Sequence, residues 1–203
     1  MRVRVGVLAI FWIVFGLLHP AASSAGSPPG EPILRIETGM HTALIKRIAV
    51  DGLGRYLATA SDDKTCRVWD MKTGEELRVL RPPIGHDYEG RLYSVAMSPD
   101  GRYVFCGGWT GYGWDKTHCV YVFERESGRL VKRLTGLPSV VNHLAVSRDG
   151  AYLAAALGED GLRVWRLSDL ALVGQDKDYQ GESYGVAFDT RGHLATTCYD
   201  GLI

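Results

Sequence analysis

The sequence predicts an all-β fold built from repeated, antiparallel four-stranded sheets. Three observations predict it. Long amphipathic helical periods are absent from the 203 residues, and 25 of these are glycine, a composition that favours short strands joined by tight turns. The stretch Arg55 to Asp70, RYLATASDDKTCRVWD, reads as two strands around an acidic turn, because Asp favours turns and resists strand interiors. That pattern then returns three more times. Its anchor residues, Ile48, Val95, Leu144 and Val186, are spaced by 47, 49 and 42 residues. A period of this length marks units that cannot bury an apolar face alone and must stack.

The chain opens with Arg2 and Arg4 before an unbroken apolar run from Val5 to Leu18, followed by small residues up to Ala25. The run is too short for a membrane span, which needs about 20 residues. Residues 1–25 therefore read as a secretory signal peptide, with an uncleaved anchor as the alternative. The expected location is secreted or periplasmic, with no membrane contact after cleavage. Residues 26–32 read as a Pro/Gly linker. Removal of residues 1–25 leaves 21 basic against 23 acidic residues, so nothing suggests a nucleic-acid partner.

Each unit repeats the same parts. An inner strand leads into a turn ending in Gly54, Gly101, Gly150 or Gly192, where positive φ is expected. A second strand follows at Tyr56–Ser61, Tyr103–Gly107, Tyr152–Leu157 and Leu194–Cys198. An acidic hairpin turn comes next, and then a third strand ending at Trp69, Phe123 or Trp165. A fourth strand, such as Glu76–Leu80 or Leu130–Leu134, precedes the next unit. The expected blades are about 45–80, 91–134, 140–175 and 183–203, the last being half a blade.

These repeats, with Trp69-Asp70 intact and SPDG-like turns at 98–101 and 147–150, resemble the WD-repeat β-propeller family. The resemblance covers 33–203 and implies a partial propeller of three full blades and half of a fourth. Phe123-Glu124 and Trp165-Arg166 depart from the Trp-Asp motif. Ile33–Glu37 reads as an isolated outer strand, of the kind that completes the last blade in the family. Because family rings commonly close with about seven blades, the chain is expected to be a fragment of a longer protein. Its open end faces are expected to promote self-association. The wording of 42–51 (TALIKRIAVD) and 107–115 (GGWTGYGWD) is similar to secreted bacterial members linked to caspase-like peptidases.

The resemblance also implies a structural hydrogen-bond set in the first blade. His41 stands four residues before Ile45 and would join Thr59 or Ser61, Asp62 or Asp63, and Trp69. A buried imidazole and indole N–H need such partners. His86 is the second-blade candidate, but Cys106 stands where Thr59 does, so that set is expected to be broken.

The most informative departure is the second-blade hairpin. Between Gly108 and Cys119 it reads WTGYGWDKTH, where the first blade needs about three residues. The connection 81–90 is lengthened too, and both loops belong to one rim. Trp109, Tyr112, Trp114, Asp115, Lys116 and Tyr88 are therefore the candidate recognition patch, since exposed aromatics beside ionic groups compose interaction hot spots. The alternative is that the tryptophans fold back over the blade. Cys106 and Cys119 flank the long loop and form a possible disulfide if the hairpin is symmetric. Buried free thiols are the alternative.

Signatures of zinc proteases, phosphate cradles and zinc sites are absent: there is no HExxH, P-loop or CxxC pair. No cofactor, metal or catalytic residue is expected. The leading expectation is a non-catalytic scaffold that binds a protein partner. The alternatives are an enzyme or small-ligand binder at the central channel, for which Lys46, Asn142 and His143 are a thin set, and a nonfunctional truncated product.

Overall fold

The computed structural model describes residues 30, 33–179, 181–199 and 201. The expected signal peptide, and the 26–32 linker apart from Gly30, lie outside the described residues. Among the described residues fourteen strands and one short helix follow in chain order. The first sheet holds β1 (Ile45–Val50), β2 (Tyr56–Ser61), β3 (Cys66–Asp70) and β4 (Glu76–Leu80). The second holds β5 (Arg91–Met97), β6 (Tyr103–Trp109), β7 (His118–Glu124) and β8 (Leu130–Leu137), with α1 (Tyr112–Asp115) between β6 and β7. The third holds β9 (Val141–Val146), β10 (Tyr152–Leu157), β11 (Leu162–Arg166) and β12 (Ala171–Asp176). A two-stranded sheet of β13 (Ser183–Phe188) and β14 (Leu194–Cys198) ends the order. Every sheet pairs its strands in sequence order and antiparallel, so each is a simple meander.

Glycine makes the tight inner turns possible. Gly54, Gly101, Gly150 and Gly192 have φ of +65°, +70°, +71° and +86°. Their N–H groups donate to Asp51, Ser98, Ser147 and Asp189 carbonyls at 3.1, 2.8, 2.9 and 3.2 Å. A side chain at such φ is strained, as the sequence anticipates.

The sheets stack face to face and bury a separate apolar cluster at each junction. Ala58, Ala60, Cys66 and Val68 of the first blade meet Val95, Val104, Cys106 and Phe123 of the second. Phe105, Val120 and Val122 then meet Leu144, Leu153 and Trp165 of the third. Ala154 and Ala156 meet Val186 of the half blade. The anchor positions show what stacking does. Val95, Leu144 and Val186 are each 2 % exposed, whereas Ile48, on whose face no sheet of the described residues stacks, is 60 % exposed. Val50 on the same face is 50 % exposed.

One expected element is absent. Residues 33–37 form no strand. A strand needs a ladder partner, and none is recorded beside them among the described residues. Side chains tether the segment to the rim of the first blade instead. Arg35 Nη1 donates to Lys64 O at 3.3 Å, and Glu37 pairs with Arg67 at 2.8 Å and with Arg81. No helix among the described residues is long and apolar enough to cross a membrane.

Candidate interaction rim

In the first blade the β2–β3 hairpin is closed by a buried polar chain. His41 Nδ1 lies 2.8 Å from Asp63 Oδ2, and His41 Nε2 lies 2.7 Å from Thr59 Oγ1. The Trp69 indole N–H donates to Thr59 Oγ1 at 3.0 Å. Asp63 also accepts the Thr65 hydroxyl at 2.6 Å and the Thr42 N–H at 3.0 Å. Burial opposes ionisation of Asp63, but the bonds from His41, Thr65 and Thr42 outweigh it and hold the carboxyl well below the usual range. The expected set is thus present with Thr59 and Asp63 as members. Ser61 is not one of them. Its hydroxyl donates to Ala43 O at 3.2 Å and accepts the Asp63 N–H at 3.1 Å, so it shapes the turn.

The later blades replace this chain. The Thr59 position, opposite Arg67, is taken by Cys106 opposite Tyr121 and by Ala155 opposite Arg163. Trp165 keeps the Trp69 position and is buried against the second blade as plain apolar packing.

The second-blade hairpin organises around a residue the sequence reading missed. Glu89 is 4 % exposed and accepts two backbone N–H groups across the rim, Gly111 at 2.6 Å and Gly113 at 2.8 Å. Gly113 leaves room for it, since a Cβ there would sit 3.4 Å from Glu89 Cγ. Gly111 has φ +94°, and a Cβ there would sit 2.9 Å from Cys119 Sγ. With those amides fixed, 112–115 wind into the single turn α1. The available signal was an acid immediately before Gly90 in one long loop facing a glycine-alternating run in the other.

The turn divides the expected patch into an outer and an inner half. Tyr88, Trp109 and Tyr112 stay together on the outside. Ring centroids are 5.9 Å apart for Tyr88–Trp109 and 6.2 Å for Trp109–Tyr112, with Tyr88 52 % and Tyr112 45 % exposed. His118, also missed, floors this cluster. It meets Trp109 edge-on at 5.1 Å and stacks on Tyr112 at 5.4 Å. Burial brings its pKa down to about 4, so its ring is neutral at physiological pH. Cations flank the rings: Arg91 lies 4.5 Å from the Tyr88 centroid and Lys116 5.9 Å from that of Tyr112.

Trp114 and Asp115 are corrections. Trp114 turns inward and packs on the cluster between the first and second blades. The Asp115 side chain is 3 % exposed and pairs with Arg133 of β8 at 3.0 Å. Four-residue helical winding points these two towards the blade while Tyr112 points out. A hairpin read as an open loop could not show this.

The proposed disulfide is a correction as well. All four cysteines are free. Cys106 faces Tyr121 across the ladder, which leaves Cys119 two residues further along the same strand. Burial pushes the Cys119 thiol up to about 12, and burial with Cys66 alongside raises Cys106 too, so both are inert thiols. In register, Cys66 of the first blade corresponds to Val120 of the second.

The channel-side residues are all engaged, two of them in joining sheets. Asn142 Nδ2 donates to Ser183 O at 3.1 Å, and His143 Nδ1 accepts the Val186 N–H at 3.1 Å. Lys46 pairs with Asp62 at 3.4 Å.

Fold and rim together define a partial β-propeller. Residues 33–70 and 74–121 match the family model described as "WD domain, G-beta repeat", so WD40 repeats are found over these two segments. Similar curated proteins include guanine nucleotide-binding protein subunit beta of Arabidopsis thaliana, 32 % identical over 117 residues, covering 55 % of this chain and 29 % of that protein. The protein of the same name from Oryza sativa subsp. japonica is 34 % identical over 119 residues, covering 57 % and 30 %. The chain thus spans under a third of these relatives' length. Among solved structures, the RRP9 WD40 repeats align with TM-score 0.67 at 20 % identity, covering 78 % of this chain and 46 % of that one. The structure of U3-55K gives the same score and identity. At that identity the likeness concerns the fold alone.

Proposed function

We propose that this chain is a non-catalytic protein-interaction scaffold of an exported protein, and that its partner docks on the Tyr88–Trp109–Tyr112 face. The observation that carries the reading is a half-exposed aromatic cluster on a loop that Glu89 fixes in place. A preorganised aromatic face loses little conformational entropy on binding. Relatives named as subunits of guanine nucleotide-binding proteins support an interaction role. The basic–apolar–small plan of residues 1–25 supports export to a secreted or periplasmic location. The similarity of 42–51 and 107–115 to secreted bacterial WD-repeat proteins linked to caspase-like peptidases supports a parent protein of that type.

Cross-linking in the exported fraction tests the reading, comparing the natural chain with the Trp109→Ala, Tyr112→Ala double variant. The expected result is selective loss of cross-linked proteins with unchanged melting. Loss of cooperative melting without selective loss of contacts makes the cluster purely structural. N-terminal sequencing of the exported product checks cleavage near Ala25.

A further inference from the structure

Two junctions between blades, on the rim opposite α1, share a backbone plan and differ at the side chain that follows the third strand. At the first, Tyr56 of β2 meets Arg125, the residue after β7. The Arg125 guanidinium stands 3.9 Å from the Tyr56 ring centroid, and its Nε donates to Gly101 O at 2.7 Å. Gly101 lies against the same ring, since a Cβ there would come within 2.8 Å of Tyr56 Cδ2. At the second junction Tyr103 takes the place of Tyr56, Gly150 that of Gly101 and Leu167 that of Arg125. The match is fixed by hydrogen bonding. Arg125 N–H donates to Arg102 O and Leu167 N–H to Ala151 O, both at 2.8 Å. The tyrosines are matched as well: Arg55 lies 5.2 Å from the Tyr56 centroid and Arg102 lies 5.0 Å from that of Tyr103.

Leu167 brings no guanidinium, and a cavity of about 620 Å³ opens at this second junction. Tyr103, Phe105 and Val122 line it, and Asp100, Asp149 and Asp169 stand among its lining residues against one base, Arg166. Arg166 is already paired with Asp169 at 2.6 Å. Asp100 and Asp149 each use one carboxylate oxygen on their own turn, accepting from Ser98 and Arg102 N–H and from Ser147 and Ala151 N–H. Their second oxygens make no bond recorded among the described residues. The cavity therefore combines an aromatic face, an apolar wall and excess negative charge.

We propose that this cavity receives an arginine side chain from a partner polypeptide, in the manner that Arg125 fills the first junction. The stem packs on Phe105 and Leu167, the guanidinium lies over Tyr103, and its N–H groups reach Gly150 O and the Asp149 carboxylate. Arginine is preferred over lysine because a planar fork satisfies a ring face and in-plane acceptors together. The site lies on the opposite rim from the Tyr88–Trp109–Tyr112 cluster and stands independently of it.

The test is an NMR titration of the whole chain with acetyl-Ala-Ala-Arg-Ala-Ala-amide and its lysine and citrulline analogues. The arginine peptide is expected to shift resonances of Tyr103, Gly150 and Leu167. The lysine peptide should bind about 5-fold more weakly, and the uncharged citrulline peptide weaker still. Leu167→Arg supplies the chain's own guanidinium and should abolish binding. Should that variant not fold, Tyr103→Leu keeps the apolar wall, removes the ring face and should weaken the arginine peptide about 5-fold. Trp109→Ala should leave its affinity unchanged, which separates failure here from failure of the aromatic rim. Equal binding of the three peptides, shifts confined to the other rim, undiminished binding by folded Leu167→Arg, or no shifts at about 10 mM peptide would each overturn the proposal.

Discussion

Between β2 and β3 the first blade buries a chain of polar groups, while between β6 and β7 the second buries sulfur, hydrocarbon and aromatic rings at the same register. His41, Thr59, Asp63 and Trp69 satisfy one another in the first blade. In the second, Cys106, Tyr121 and Phe123 occupy the inner positions, and the buried acid Glu89 sits out at the rim, where it holds the amides of a longer loop. The difference teaches that the sheet register and inter-blade packing are enough to specify a blade. The polar chain is one way of closing the hairpin. Once it is dispensed with, the hairpin is free to lengthen into a surface.

That comparison can be broken most forcefully at His41. Its replacement by Ala leaves the buried Asp63 carboxylate, Thr59 and Trp69 short of a shared partner, at an expected cost of about 3 kcal/mol. Urea unfolding measures it, and a loss well under about 1 kcal/mol would make the polar chain incidental.

A smaller effect is expected in the pH dependence of stability. Among the described residues His118 has no carboxylate partner, and its folded pKa is about 4 against an unfolded value of about 6.5. Between these values the unfolded chain binds more protons, so stability is complete above pH of about 6.5 and falls as pH drops towards about 4. His143, likewise lowered by burial, adds in the same direction. Melting temperature followed across this window should decline, and His118→Phe should flatten part of the slope. Asp63, held low, contributes stability that is lost only below the ordinary carboxylate range.

The smallest effect is expected at His86, the residue that chain order puts nearest to the role of His41 in the second blade. It is exposed, so His86→Ala should change unfolding stability by under about 0.5 kcal/mol. A larger loss would mean that the second blade keeps a polar closure of its own.

The strands were legible because their signals are local. Period-two apolar patterning and turn glycines placed β2, β4, β10 and β14 at their observed ends. The His41 set was legible in outline, but Thr59 rather than Ser61, and Asp63 rather than Asp62, are set by which of them reach the His41 ring in space. What could not be read depends on pairing over distance. Residues 33–37 have strand composition but no ladder partner among the described residues. A disulfide between Cys106 and Cys119 needed a register that Tyr121 in fact occupies. At the rim the composition pointed to the right loops. The split of Trp114 and Asp115 from Tyr112 follows from one helical turn, set by Glu89 from a separate connection.

The central claim is that Glu89 holds the aromatic hairpin as a preformed platform. Amide hydrogen exchange at Gly111 and Gly113 tests it most directly. The account predicts slow exchange at both in the natural chain, with Glu89→Gln accelerating them while β6 and β7 amides stay protected. Rapid exchange at both glycines in the natural chain, or no change on that substitution, would contradict it.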